Sequence, residues 1–461
     1  MTVELSRFAM KVLQGDMMTP ISVYQALTGK HKMLFESSAK HEESGRYSFI
    51  AVNPIAELIG DQNGYQYSKG GEIDQSSDNV LKKLKEVMPF HQADYPFAFF
   101  GGAIGYFGYE TAFYAEKIGT YLHDNLDMPD VHVFFYDTFI VFDHLKQEIT
   151  LAAIDLFNEG RSLVTMEAEL AEMENQLCAG TTFGFMEVDP LDFQPMIPKE
   201  VFIAIVERAK QHIVRGDIFQ IVLSQRFSSP FAGNPFALYR QLRTSNPSPY
   251  MFYMDFEAYT ILGTSPESLV KVKNRKVTTN PIAGTKPRGT TQQQDEAIAK
   301  SLLTDEKEIA EHRMLVDLGR NDIGRISKVG TVKVSKYMNI ERYKHVMHIV
   351  SEVVGELRDE VHVLDVLSAC LPAGTVSGAP KIRAMQLINE MEPVKRGVYA
   401  GAVGYISATG DMDLALAIRT MVIKDGHAHV QAGAGVVYDS VPLSEYEETL
   451  NKARALLEVK K

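Results

Sequence analysis

Tryptophan is absent from the 461 residues and cysteine is almost absent, present only as Cys178 and Cys370. Two distant thiols exclude a disulfide framework and a cysteine-ligated metal, and they suit a reducing compartment. No apolar run approaches the roughly 20 residues needed to cross a bilayer. The segment Met1 to Met10 carries Glu4 and lacks the apolar centre of a signal peptide, so the expected setting is the cytoplasm. Excess positive charge is missing too: 47 Lys and Arg face 59 Asp and Glu, a formal net charge of −12. Such a chain is a poor electrostatic partner for nucleic acid or anionic lipid. An anionic ligand would need a local basic or metal-centred site. There is no internal repeat and no low-complexity tract.

What is present is ordinary globular composition, 45% hydrophobic and 23% charged. The length exceeds a single core and predicts two domains or two large lobes. Phe97 to Tyr109 is β-rich and glycine-punctuated, as in a sheet that something approaches closely. Val131–Tyr136 and Thr138–Phe142 read as buried strands, Asp143–Lys146 as a turn, and Glu148–Ile154 as the return of a hairpin. A helix follows over Arg161–Gln176. The proline-marked stretch from Pro190 to Pro198 is the best boundary and divides residues 1–190 from 195–461. Beyond it a helix runs from Pro198 to Arg215, then a strand from Ile218 to Phe227. The rest alternates hairpin-like strands and helices without a βαβ rhythm, which predicts an α+β fold with large antiparallel sheets.

Two helical segments place carboxylates one turn apart: Glu308 with Glu311, and Glu445 with Glu448. Like charges at that spacing repel, so a cation is a natural partner. Mg²⁺ suits carboxylate oxygens and needs only one or two of them. Two ordinary acidic helix surfaces would give the same pattern. Glu448 lies opposite the apolar stripe of Tyr446, Leu450 and Ala453, where a residue faces either solvent or a cleft.

The loop Pro372–Lys381 precedes a helix expected from Pro380 to just before Pro393. Its small residues let a ligand approach the backbone, and a helix N-terminus favours an anion. It is not a nucleotide P-loop, because Lys does not follow its second Gly. Gly433-Ala434-Gly435 closes a strand and allows close approach of a small anion, or marks a bulge or tight hairpin. Arg419 falls inside an apolar strand and calls for a carboxylate, from a neighbour or from a substrate. Pro281–Gly289 reads as a Gly-, Pro- and base-rich loop. His348 lies on an apolar strand-like run, where a satisfied core histidine is the ordinary reading. Glu267 stands at a turn.

Taken in order, Ile282-Ala283-Gly284-Thr285, the Glu311 helix with Arg320-Asn321-Asp322, Met347-His348, Pro372–Thr375 with Gly378–Lys381, Arg419-Thr420, Gly433–Gly435 and Tyr446–Thr449 resemble the chorismate-utilising enzymes. The resemblance spans nearly the whole chain, is strongest from about residue 200, and is closest to the large synthase subunits of the anthranilate-forming branch. It implies a two-lobed α+β protein with antiparallel sheets between helices. It implies chemistry in which ammonia adds to the chorismate ring beside the carboxylate-bearing carbon, the ring hydroxyl leaves, and pyruvate is eliminated. Mg²⁺ on the ring carboxylate would be held by Glu311 and Glu448, backed by Glu308 and Glu445. Glu267 would be the acid for the departing hydroxyl, and His348 the base of the elimination. Arg419, Tyr399 and the Gly433, Ala434 and Gly435 backbone would hold the enolpyruvyl carboxylate, and Gly284, Thr285 and Thr375 would make other substrate contacts.

Two positions speak to product. The aminodeoxychorismate branch carries Lys in the slot of Ala283, and the isochorismate and salicylate branch carries a Lys base near Gln220. Neither Ala283 nor Gln220 can supply those groups, which favours ammonia and anthranilate. Aminodeoxychorismate synthesis and an inert tryptophan-sensing protein on the same fold are the alternatives. Neither cysteine sits on the Gly-flanked turn with a His partner that a glutaminase requires. The resemblance therefore implies a separate glutaminase subunit and a hetero-oligomer. Leu34-Phe35-Glu36-Ser37 and Asn246–Phe252, which contains Pro249, Tyr250 and Met251, resemble an L-tryptophan feedback site. The lack of tryptophan fits an enzyme made when that amino acid is scarce.

Overall fold

A computed structural model describes residues 8–37, 45–92, 95–180, 190–343 and 346–456. Most of the Met1–Met10 segment and residue 189 at the proline-marked boundary lie outside that set. The described strands form two antiparallel sheets of twelve strands each. The first runs in space through Phe8–Gln14, Glu148–Ile154, Thr138–Asp143, Tyr47–Ala51, Met33–Glu36, Tyr250–Asp255, Tyr259–Ser265, Thr420–Lys424, His427–Val436 and Gln220–Pro230 to Gln194–Pro195. The second starts at Ile282–Pro287 and passes through Val346–Glu356, Lys276–Thr279, Ser268–Lys273, Met412–Leu416, Ala402–Ser407, Gly102–Phe107 and Val131–Tyr136 to the Ala56–Ser76 meander. Strands from both sides of residue 190 take part in each sheet.

The two sheets face one another across an aromatic core that includes Phe99, Tyr106, Phe134, Tyr136, Phe139 and Phe252. Helices cover the outer faces. Helix Leu163–Ala179 buries Met166, Leu170, Met173 and Leu177 against the first sheet, helix Lys381–Met391 packs Met385 and Ile388 beside Gln220–Pro230 of the same sheet, and helix Val363–Cys370 lies on Ser268–Lys273 of the second. Val131–Tyr136 shows why a continuous apolar run was needed. Val131, Val133 and Phe135 face the helices while Phe134 and Tyr136 face the other sheet. Alternate residues point to opposite faces, and both faces are buried.

The chain changes sheet at single short links. Val131–Tyr136 belongs to the second sheet and Thr138–Asp143 to the first, with only Asp137 between them. The strand expected over Phe97–Tyr109 is shorter, Gly102–Phe107, and a 3-10 turn over Tyr109–Tyr114 follows it. The close approach there is that of another strand. A Cβ on Gly105 would lie 2.1 Å from the His132 carbonyl oxygen. The helix placed at Arg161–Gln176 is Leu163–Ala179, capped by Ser162, and the helices starting after Pro198 and Pro380 stand as expected.

Candidate active site

Two adjacent strands change sheet side by side. Tyr259–Ser265 lies in the first sheet and Ser268–Lys273 in the second, with Pro266 and Glu267 between them. Met412–Leu416 lies in the second and Thr420–Lys424 in the first, with residues 417–419 between. The links are tied together: Leu416 N–H donates to the Glu267 carbonyl at 2.9 Å and Thr264 N–H to the Arg419 carbonyl at 3.1 Å. Ser265 Oγ donates to the Leu416 carbonyl at 2.7 Å.

Arg419 is therefore not within a strand. It occupies the crossing itself, with φ at +49°, a left-handed conformation that the change of sheet imposes on a non-glycine residue. Among the described residues its guanidinium has no hydrogen-bond or ion-pair partner. Its side chain is accessible yet enclosed enough that burial pulls its pKa below the ordinary arginine value. An accessible guanidinium with no partner among the described residues is a site for an incoming anion.

Glu267 sits on the neighbouring link, 9% exposed. Burial raises its carboxyl to about 7, against the opposing effect of the Thr375 hydroxyl, which donates to Oε1 at 2.8 Å. Thr375 lies in the 3-10 turn Gly374–Val376. Glu267 and Thr375 line one side of a small cleft that reaches Asn280, Leu318 and Asp322.

The Pro281–Gly289 segment is for the most part a strand, Ile282–Pro287, paired with Val346–Glu356 through a bulge between Ala283 and Thr285. Gly284 supplies the bulge, at φ +64°, and a Cβ there would come within 3.0 Å of Glu308 Oε2. The opposing strand carries His348, whose Nδ1 lies 3.2 Å from the Gly284 carbonyl and 3.0 Å from Thr285 Oγ1. A carbonyl can only accept, so Nδ1 carries the proton and Nε2 presents its lone pair. Burial and then the Arg419 charge lower the His348 pKa, which keeps the ring neutral near pH 7.

Glu308 and Glu311 lie near the start of helix Glu306–Gly324, and Glu445 and Glu448 near the start of helix Pro442–Ala455. The pKa of Glu308 is raised by burial and then by Glu311, and that of Glu445 by burial with Glu448 adding to it. Lys307 exerts its charge on both Glu308 and Glu445, which sets the two helix starts side by side. Gln220 Nε2 donates to Glu311 Oε1 at 3.4 Å and would stand 3.1 Å from a Cβ on Gly435. No ion pair engages Glu308, Glu311 or Glu445 among the described residues, whereas Lys452 pairs with Glu448 at 2.7 Å. No closed group of three or more His, Cys, Asp or Glu side chains converges among the described residues. Sparse, partly accessible carboxylates fit a hydrated Mg²⁺, which keeps several waters, and do not fit a caged structural metal.

Gly433, Ala434 and Gly435 lie in the uninterrupted strand His427–Val436, with neither bulge nor hairpin. A Cβ on Gly433 would meet the Tyr399 hydroxyl at 2.6 Å, so glycine is what lets that phenol reach the strand. The candidate residues are thus linked in pairs, Glu267 with Thr375, His348 with Gly284 and Thr285, Gly284 with Glu308, and Glu311 through Gln220 with Gly435.

A model of the family described as chorismate binding enzyme matches residues 30–458. The chain belongs to that family. Among the relatives of this chorismate-binding chain is anthranilate synthase component 1 of Lactococcus lactis subsp. lactis (strain IL1403), 45% identical over 452 residues, covering 97% of the chain and 99% of the relative. The crystal structure of anthranilate synthase component I from Streptococcus pneumoniae TIGR4 is 47% identical, covers 97% of this chain and 99% of its own, and superposes with a TM-score of 0.85. The menaquinone-specific isochorismate synthase of Escherichia coli shares the fold alone, at 19% identity and a TM-score of 0.73 over 98% of this chain and 95% of that one.

A second locus of this chorismate-binding enzyme lies one strand away. Met33–Glu36 pairs with Tyr250–Asp255, Met251 opposite Glu36, so Ser37 follows directly beside Tyr250 and Pro249. Glu36 is fixed by Arg243, Nη2 to Oε1 at 2.8 Å, and by the Tyr239 hydroxyl at 2.6 Å. Among the described residues the buried Ser37 hydroxyl has no hydrogen-bond partner. The reading of the sequence missed the roles of Lys452, Gln220 as a Glu311 partner, and Arg396. Lys452 and Arg396 each carried one signal, an i, i+4 spacing from Glu448 and from Glu392. Cys370 is buried, its thiol pushed up to about 12, and Cys178 is exposed near a helix end. Neither is an activated nucleophile.

Proposed function

We propose that the chain converts chorismate and ammonia to anthranilate and pyruvate, the entry to tryptophan biosynthesis, with Mg²⁺ held by Glu311 and Glu448. The observation that carries this reading is the shared crossover: a buried, protonatable Glu267 beside an unpaired Arg419. The relatives named anthranilate synthase component 1 support it, as do Ala283 and Gln220, which cannot serve as nucleophile and base for the sister reactions. In this reading residues 195–461 supply the chorismate site and residues 1–190 contribute to the feedback site.

Arg419, the Tyr399 hydroxyl and the Gly433–Gly435 backbone hold the enolpyruvyl carboxylate. Gly284, Thr285 and Thr375 contact the rest of the ring. Glu267 in its acid form gives its proton to the departing ring hydroxyl as the ammonia nitrogen bonds to the ring carbon beside the carboxylate-bearing carbon, the ring double bonds shift, and water leaves. The ammonium so formed returns a proton. His348 then uses Nε2 to remove the ring proton, the ether bond breaks, pyruvate departs and the ring becomes aromatic. Glu311 and Glu448 would hold the Mg²⁺, which when bound would offset the charge of the ring carboxylate and draw electron density toward it. Glu308 and Glu445 back its two ligands.

Neither thiol can release ammonia from glutamine, so a glutaminase subunit supplies it in a hetero-oligomer. L-Tryptophan binds at Ser37, Pro249, Tyr250 and Met251, with its polar groups meeting the unpartnered Ser37 hydroxyl. The test is purified chain with chorismate, Mg²⁺ and ammonium salt at alkaline pH, followed by product identification. Anthranilate is expected; aminodeoxychorismate or no product overturns the reading. Glutamine in place of ammonium is expected to give nothing.

A further inference from the structure

Arg396 lies outside every motif that singled out the site, yet it is one of the most engaged side chains in the molecule. It is 3% exposed. Its Nε and Nη2 bind Glu392 at 2.8 and 2.6 Å, a bidentate pair. Nη1 donates to the Val376 carbonyl at 2.7 Å and Nη2 to the Val222 carbonyl at 2.7 Å. Glu392 also accepts from Ser224 N–H at 2.8 Å and Ser224 Oγ at 2.9 Å. The guanidinium carbon stands 4.7 Å from the Tyr109 ring centroid and 5.6 Å from that of Tyr399. From the other side, the Arg396 and Gly397 amides donate to the two oxygens of buried Glu110 at 2.9 and 3.0 Å.

Each contact ends on the support of a different part of the site. Val376 follows Thr375, the donor to Glu267. Val222 pairs with Gly435 across the sheet, and its Cγ1 lies 3.0 Å from where a Cβ on Gly433 would be. Tyr399 brings its hydroxyl to Gly433. Resting on the function proposed above, we infer that Arg396 is a positioning residue, a buried guanidinium that fixes the Glu267 acid and the Gly433–Gly435 carboxylate cradle at one separation while touching neither substrate nor acid. Arginine alone does this. A planar fork can meet a carboxylate and two carbonyls at once, whereas a lysine ammonium is a single point donor with three protons and a shorter reach.

The test is Arg396→Lys, which keeps the charge, compared with Thr375→Val, Glu392→Gln and the double variant Arg396→Lys/Thr375→Val. Steady-state kinetics are followed across pH at fixed free ammonia. If Arg396 acts by placing Thr375, Arg396→Lys lowers kcat roughly 10–100-fold and moves the alkaline limb of the kcat profile upward, as Thr375→Val does. The double variant then keeps the limb of Thr375→Val alone. KM for chorismate also rises further in Arg396→Lys than in Thr375→Val, which loses one ring contact, because only the former also loosens the Gly433–Gly435 cradle. Glu392→Gln keeps the guanidinium and shows the same two changes more weakly, and it carries the test if Arg396→Lys does not fold. An unmoved limb with activity lost only in proportion to folded protein, or fully multiplicative effects in the double variant, overturns the inference. A parent chain that makes no anthranilate overturns the functional reading instead, before any variant is compared.

Discussion

The Thr375 hydroxyl donates to Glu267 Oε1 at 2.8 Å, so a residue from a turn ahead of a helix tunes an acid on a link between two sheets. The hydrogen bond favours the carboxylate while burial favours the acid, and burial prevails. A group whose job is to give up a proton near neutrality needs that balance.

Glu267→Gln is expected to lower kcat by roughly 10²–10⁴-fold. At fixed free ammonia, parent activity falls as pH rises through about 7, where Glu267 loses its proton. Stability follows the same group. A carboxyl raised in the folded state contributes fully below the ordinary carboxyl range, and that contribution is lost as pH climbs through about 7. Melting temperatures of parent and Glu267→Gln across pH 4–9 check this: the variant should gain on the parent as pH rises. A constant difference across that range removes Glu267 as a buried titrating acid.

In the proposed reaction His348 would serve the elimination half. With Nδ1–H committed to Gly284 and Nε2 free, the neutral ring accepts a proton, and a lowered pKa extends that competence below the usual histidine range. His348→Met is expected to block elimination more than amination, so that the aminated, enolpyruvyl-bearing intermediate accumulates. Chromatography of quenched reactions decides it. Equal loss of both steps would leave His348 a core or substrate-positioning residue.

Removing one metal ligand while keeping its shape, in Glu311→Gln or Glu448→Gln, should reduce activity on the order of 10³-fold or more with the fold intact. Near-normal turnover of both variants at limiting Mg²⁺ would sink the assignment. Lys452 adds a finer test. Its pair with Glu448 is half exposed and is worth at most about 1 kcal/mol. Lys452→Met should therefore tighten Mg²⁺ binding by about fivefold or less, read by calorimetry without substrate.

Much of this was legible in the sequence for a simple reason. Val131–Tyr136 and Thr138–Asp143 are apolar enough to announce buried strands, and Pro380 marks its helix start by fixed backbone geometry. Glu267 and His348 were singled out by the resemblance and not by any periodicity of the chain. Illegible was which sheet each strand joins. Pairing is long-range, and a one-residue link such as Asp137 has no periodic signature. The same blindness put Arg419 inside a strand when it is the crossing itself. Arg396 was passed over although Glu392 stands four residues before it, because its other bonds go to the Val376 and Val222 carbonyls, which a pattern of side chains does not record.

The feedback proposal makes the last prediction. Ser37 and Tyr250 lie on paired strands, and Tyr250–Asp255 pairs in turn with Tyr259–Ser265, the strand that runs into Glu267 and whose Thr264 N–H holds the Arg419 carbonyl. Tryptophan at Ser37 would thus be two strands from the acid, and the second of those strands is one hydrogen bond from Arg419. It can inhibit only by binding better to a state in which those groups are less well placed. Reciprocity then requires chorismate to weaken tryptophan binding by the factor by which tryptophan weakens chorismate binding. Ser37→Arg puts a long charged side chain where a small unpartnered hydroxyl stands, and should abolish inhibition while leaving uninhibited activity nearly unchanged. Pro249→Ala loosens the entry to the strand and should weaken inhibition in part. Tryptophan titrations of both variants and the parent, with direct tryptophan binding measured with and without chorismate, check this. An unaltered inhibition curve in Ser37→Arg places the regulatory site elsewhere and leaves Ser37 with no part in it.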